Sequence, residues 1–124
     1  MNLRLLLGRR GERAAARFLK RHRGHRVLAA NYRCPAGEID LITLDKDTVV
    51  FVEVKTRASD EPASPFEALG ARQRRRIENA ARYFLMRGTN PHPPARFDVV
   101  SIVWPPRGAP IIEHFEDAFG PPRS

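Results

Sequence analysis

The side chains best suited to chemistry fall in two short runs, Glu38-Ile39-Asp40-Leu41 and Val52-Glu53-Val54-Lys55. In each, a charged residue alternates with an aliphatic one, the period-two pattern of an extended strand. Asp45-Lys46-Asp47-Thr48 separates the strands Glu38 to Leu44 and Val49 to Lys55, so the segment reads as a hairpin. Closed symmetrically about Lys46-Asp47, it sets Asp40 opposite Glu53 and Glu38 opposite Lys55. All four then share one face, while Ile39, Leu41, Val52 and Val54 line the other.

Directly opposed residues have Cβ atoms about 4.5–5.5 Å apart, and opposed like charges destabilise a sheet. Aliphatic flanks imply cover, which keeps water from screening the repulsion. A divalent cation offsets it. Mg²⁺ takes one or two carboxylates and keeps its other positions for water and substrate phosphate. Lys55, on the same face as Glu53, would add a group that orients or deprotonates water, or stabilises charge as bonds to phosphorus change.

Plainer uses exist for most of these residues. Glu38 and Lys55 could form a cross-strand salt bridge, whereas Asp40 beside Glu53 has no comparable structural use. Glu12 could pair with an arginine at a helix margin, and Gln73 could be a satisfied core amide or lie exposed. Asp98 is expected to cap a strand or bind a neighbouring arginine. His22, His25, His92 and His114 lack ligand spacing and are expected at the surface. Cys34, the single cysteine, forms no intrachain disulfide and no zinc site.

The elements that position these groups follow from periodicity. From about Leu5 to His22, Ala14, Ala15, Phe18 and Leu19 recur at helical spacing, with Arg9, Arg13, Arg17, Lys20 and Arg21 opposite. Glu12 falls on the inward arc, where a carboxylate needs a partner. Gly24 ends this helix, and His25 to Arg33 reads as a strand, followed by a turn at Cys34-Pro35-Ala36-Gly37. After the hairpin, Thr56 to Pro65 reads as a mobile loop. A second helix spans about Ala71 to Met86, burying Ile77, Ala80, Ala81 and Phe84, with Gln73 on the inward arc. Arg96 to Val103 and Ile111 to Phe115 complete the strands. The order α-β-β-β-α-β-β indicates a single α/β domain over residues 1–124, a mixed β-sheet flanked by helices, with its core at about 8–115 and a flexible C-terminal tail.

Twenty-two basic residues against 14 acidic ones give a net charge of +8, and 19 of the basic residues are arginine. Residues 1–33 hold ten basic residues and one acid; residues 72–87 hold six and one. Planar guanidinium forks suit phosphate, so these two segments point to nucleic acid. No stretch approaches the ~20 apolar residues of a membrane span, and the opening Met1 to Leu7 is broken by Arg4. A soluble protein of the reducing cytoplasm is expected.

Gly37-Glu38-Ile39-Asp40-Leu41-Ile42 and Phe51-Val52-Glu53-Val54-Lys55-Thr56-Arg57, preceded by Gly11-Glu12 and followed by Arg72-Gln73-Arg74-Arg75, resemble the YraN family of small bacterial proteins. That family is similar to the PD-(D/E)xK nucleases, especially archaeal-type Holliday junction resolvases. The resemblance implies a restriction-endonuclease-like fold and a Mg²⁺ site, where Mn²⁺ can substitute. It implies Asp40 and Glu53 as metal ligands with the Val54 carbonyl, Lys55 as catalytic lysine, Glu12 as an additional helical carboxylate, and Gln73 as a supporting polar group. Ile39 stands where the superfamily has proline, and Glu38 could share the metal role. A homodimer is a further expectation from the resemblance. The resulting reading is a metal-dependent endonuclease hydrolysing DNA, structure-specific on branched forms, with Arg9, Arg13, Arg57, Arg72, Arg74 and Arg75 binding flanking phosphates. The alternative is a nucleic-acid-binding protein that keeps the fold without catalysis.

Overall fold

The computed structural model describes residues 3–59 and 69–121, with side chains from residue 8 onward. Along the chain run helix α1 (Leu3–Arg23), strands β1 (Arg26–Cys34), β2 (Gly37–Asp45) and β3 (Thr48–Ala58), helix α2 (Ala71–Met86), and strands β4 (Ala95–Trp104) and β5 (Ile111–Phe119). The expected element order is the observed one. The strands form one mixed sheet in sequence order, with β3 and β4 parallel and the other neighbours antiparallel. Antiparallel neighbours turn back through short connections, whereas a parallel pair requires a crossover, which here contains α2.

Each helix covers one face of the sheet. Ala15 and Leu19 of α1 pack with Leu41, Val50, Val52, Val100 and Ile102. Ile77, Ala80 and Ala81 of α2 pack with Ile42, Val49, Phe51 and Val99. Successive strand side chains point to opposite faces, so Val49-Val50-Phe51-Val52 feeds both layers alternately. A strand buried on both sides must be apolar throughout, which is why this run carries no polar residue.

Two glycines set how closely the helices approach the site. At Gly11 an added Cβ would lie 3.2 Å from both Cβ and Cγ2 of Thr56, and would overlap its hydroxyl. Gly11 therefore lets α1 rest directly on β3, one residue before Glu12. At Gly37, φ is +154° and an added Cβ would lie 2.5 Å from the Arg76 carbonyl oxygen, so α2 rests on the start of β2. Alanine is the better helix former by about 1 kcal/mol, yet Gly11→Ala is expected to destabilise the protein by about 1–3 kcal/mol through overpacking. Gly8, in the same helix, has nothing within 4 Å of an added Cβ. Gly8→Ala should therefore stabilise by up to about 1 kcal/mol, and urea unfolding of the two variants checks the opposite signs.

The chain departs from expectation at two boundaries. β3 runs on to Ala58, paired with Trp104, so Thr56 to Ala58 are strand; residues 60–65 of the expected loop lie outside the described residues, as do the last three of the expected tail. β5 continues past Phe115 to Phe119, across an irregularity opposite Phe97 to Val99. Asp117 sits there with φ +52°, and its N–H donates to the buried Asp98 carboxylate at 3.0 Å. Among the described residues no helix is long and apolar enough to cross a membrane.

Candidate active site at the open end of the hairpin

The hairpin closes in the expected register, with Asp45 opposite Thr48, Ile42 opposite Phe51 and Leu41 opposite Val52. There the ladder stops. Asp40 Oδ2 accepts the Val54 N–H at 2.8 Å, so a side-chain oxygen takes the donor that regular pairing would offer to β2. The expected regular opposition of Asp40 to Glu53 and of Glu38 to Lys55 is thus replaced by a ladder opened by Asp40 itself.

A second correction concerns faces. Leu41 and Val52 pack toward α1 with Val54, but Ile39 packs toward α2. Ile39 and Ile42 share a face although three residues apart, so the alternation slips between them. β1 slips at the same level. Ala29 and Tyr32, the partners of Ile42 and Ile39, both pack toward α2, and Asn31 between them has φ +52°. Such paired irregularities re-aim a side chain. Here Asp40 becomes part of the wall of two cavities, one of about 560 Å³ on the α1 side with Glu12, and one of about 340 Å³ on the α2 side with Glu53 and Gln73.

Gln73 ties the second cavity together. Its Nε2 donates to Glu53 Oε2 at 3.1 Å, and its Oε1 accepts from Lys55 Nζ at 3.2 Å. One amide thereby fixes a carboxyl and an ammonium two residues apart on one strand face. Lys55 does not meet Glu38. Glu38 pairs instead with Arg33 of β1 at 3.5 Å, and both side chains are well exposed, so that ion pair contributes little.

Glu53 is 8% exposed, and its carboxyl is pushed up to about 9, first by burial and then by the Asp40 carboxyl, which both hydrogen-bonds and repels it. Lys55 and Gln73 oppose that rise. Glu12 is also raised, by burial first and by Asp40 next, against a hydrogen bond from Asn31 and the charge of Arg9. Asp40 thus faces a second acid on either side of the sheet. Among the described residues no three or more His, Cys, Asp or Glu side chains form a group that could hold a metal ion; the acidic centre is the Asp40–Glu53 pair, with Glu12 across the α1 cavity.

The arginines divide. Arg9 and Arg13 line the α1 cavity and Arg72 the α2 cavity, while Arg57 lies two residues beyond Lys55 on β3. Arg74 and Arg75 line a separate depression beside Gly120. Sequence reasoning overlooked Arg76, Arg33 and Asn31, which also line the two cavities. Arg76 was detectable, since it follows Gln73 by three residues and so shares its helical face. Asn31 gave no such signal.

A second polar cluster lies on the α1 side. The fully buried Asp98 accepts from Arg96 Nε at 3.0 Å and is 2.7 Å from His114 Nε2. His25, 3% exposed, is bonded through Nδ1 to Thr43 Oγ1 at 2.9 Å. His25 and the His114 side chain are therefore buried, contrary to the surface positions expected; His22 and His92 are exposed. Asp98 serves structure, as expected of it.

Fold and site together define a small α/β protein with one mixed sheet between two helices, and a carboxyl pair whose buried member, Glu53, is linked through a glutamine to a lysine. The chain belongs to the uncharacterised protein family UPF0102, whose model matches residues 11–102. The match includes Glu12, Asp40, Glu53, Lys55 and Gln73. The chain is 44% identical over 115 residues to a UPF0102 protein of Streptomyces griseus, covering 92% of this chain and 96% of that protein. It is 43% identical over 113 residues to one of Nocardia farcinica, covering 91% and 88%. With a third, from Syntrophus aciditrophicus, it shares 43% identity over 119 residues, covering 96% and 92%.

Proposed function

We propose that this protein is a metal-dependent endonuclease that hydrolyses DNA phosphodiester bonds, with branched or distorted DNA as its preferred substrate. The observation that carries this reading is the Asp40–Glu53 pair, its glutamate buried and held beside Lys55 by Gln73. Two neighbouring carboxyls, one of them buried, oppose each other's ionisation. A hard divalent cation reverses that balance, and Asp40, Glu53 and the Val54 carbonyl offer only the oxygen donors that Mg²⁺ or Mn²⁺ prefers. The residues fit such an ion, with Glu12 able to approach from α1. When bound, the ion supplies Lewis-acid polarisation of the scissile phosphate and a more acidic water.

The chain's own groups do the rest. Gln73 fixes the Lys55 ammonium beside Glu53, where it can orient a water or receive charge developing on a phosphate oxygen. Arg9 and Arg13 on one side, and Arg72 and Arg76 on the other, hold flanking phosphates. Neither helix presents a row of base-reading side chains, so recognition rests on backbone and shape. Affinity should fall steeply with salt.

The test incubates purified protein with four-way junctions, flaps, linear duplex and single strands in Mg²⁺, Mn²⁺ or EDTA, beside Lys55→Ala. Cleavage is expected only with a divalent cation, reduced about 10²–10⁴-fold by the substitution. Cleavage unchanged in Lys55→Ala would identify a contaminating nuclease. The second reading is a nucleic-acid binder without turnover; tight binding in EDTA with no cleavage under any condition would establish it.

A further inference from the structure

Asn31 combines an unusual backbone with a particular place. Its φ of +52° lies mid-strand rather than in a turn, between the pairs Ala30–Leu41 and Tyr32–Ile39 and so across from Asp40. Left-handed backbone is unfavourable for most residues and tolerated by asparagine. Asn31 is solvent-exposed, so core packing does not account for it. Its conformation coincides with the slip in alternation on both strands, the irregularity that brings Asp40 to the wall of the α1 cavity. Asn31 lines that cavity with Glu12 and Asp40, close enough that its amide opposes the rise of the Glu12 carboxyl.

We propose that Asn31 is a positioning residue of the metal site: its amide holds the Glu12 carboxyl toward Asp40, while its left-handed backbone turns Asp40 to meet it. The inference rests on the metal-dependent reading above. A carboxylate that approaches a cation from a separate helix is mobile unless something orients it. Hydrogen bonds from outer groups to ligating side chains commonly set metal affinity by about 10–100-fold. The amide of Asn31 is placed to do this for Glu12, and the backbone of Asn31 to do it for Asp40.

Glycine separates the two contributions, since it adopts positive φ freely and has no amide. The experiment titrates Mn²⁺ into the full-length protein by calorimetry, with melting in EDTA recorded alongside. Asn31→Gly is expected to weaken Mn²⁺ binding about tenfold or more. In a Glu12→Gln background it should have no further effect, because the amide acts through Glu12. Asn31→Ala, which loses the amide and strains the backbone, should melt below Asn31→Gly in EDTA. A merely structural Asn31 would lower melting without changing Mn²⁺ affinity. If Asn31→Gly melts too low for calorimetry, Asn31→Ser, which also lacks the amide, carries the same measurement. Wild-type Mn²⁺ affinity in these variants, or an undiminished loss in the Glu12→Gln background, would overturn the role while leaving the metal reading intact. A wild-type protein that takes up no Mn²⁺ would overturn both.

Discussion

Replacing Asp98 with alanine is expected to lower the free energy of unfolding by about 3–5 kcal/mol, the usual cost of leaving a buried ion-pair partner uncompensated. The carboxylate has no solvent exposure. Its oxygens receive Arg96 Nε at 3.0 Å, Arg96 Nη2 at 3.3 Å and the Asp117 N–H at 3.0 Å, with His114 Nε2 at 2.7 Å. Burial by itself would raise the acid's pKa, but the bonds from His114, Arg96 and the Asp117 backbone outweigh it and hold the group below its ordinary value. Truncation strands a guanidinium whose side chain is only 12% exposed, left with Asp45 at 3.0 Å as its close partner. It also frees Asp117 from the contact that accompanies its left-handed turn. Because the folded pKa is depressed, the contribution of Asp98 is present above the unfolded value of 3.8 and disappears as pH falls through the folded one. Urea unfolding at neutral pH measures the loss directly. A change below about 1 kcal/mol, the scale of an exposed pair, would show that the cluster is not energetically buried.

Glu53 should act with the opposite sign. Its carboxyl rises from an ordinary 4.5 to about 9, so its contribution to the metal-free protein is fully present below about pH 4.5 and is lost progressively up to about pH 9. Each tenfold displacement of an acid constant is worth about 1.4 kcal/mol, which sets a ceiling on the order of 6 kcal/mol across that window. Glu53→Gln keeps an acceptor for Gln73 and removes the titrating proton. In EDTA it should unfold less readily than wild type by about 2–4 kcal/mol near pH 7.5, and with little difference near pH 4.5. Stability curves measured against pH for both proteins give the answer by subtraction; parallel curves would mean that Glu53 ionises normally in the fold. If a cation binds here, the wild-type stabilisation it gives should increase with pH, because the ligands must be deprotonated.

The parts legible in the sequence were those fixed by local alternation. Val49-Val50-Phe51-Val52 and the polar turn before it determine the hairpin register without reference to the rest of the chain. Helix α2 was readable for the same reason, since Ile77, Ala80 and Ala81 form one arc and are the residues buried. What escaped notice depends on partners distant in sequence. His25 is buried because Thr43, 18 residues on, offers a hydroxyl, and His114 because Asp98, 16 residues back, offers a carboxylate. No local pattern encodes either. The opening at Asp40 is of this kind too, because it needs both the Val54 N–H and the left-handed Asn31 on a third strand. β5 reads too short in the sequence because Asp117 interrupts its alternation, and the carboxylate that satisfies the interruption lies on β4. The candidate site was legible as residue types, but the linkage of Glu53 to Lys55 through Gln73 required the packing of α2 against β2.

Gln73 comes after every other member of the acidic centre in the chain, beyond Glu12, Asp40, Glu53 and Lys55. During synthesis, a nascent chain that has already made the hairpin still lacks the amide that joins the Glu53 carboxyl to the Lys55 amine. The centre can be assembled only when α2 settles onto the sheet, where Gly37 leaves room for the Arg76 carbonyl. Chains not yet synthesised through residue 73 therefore carry the acids without the amide that links Glu53 to Lys55.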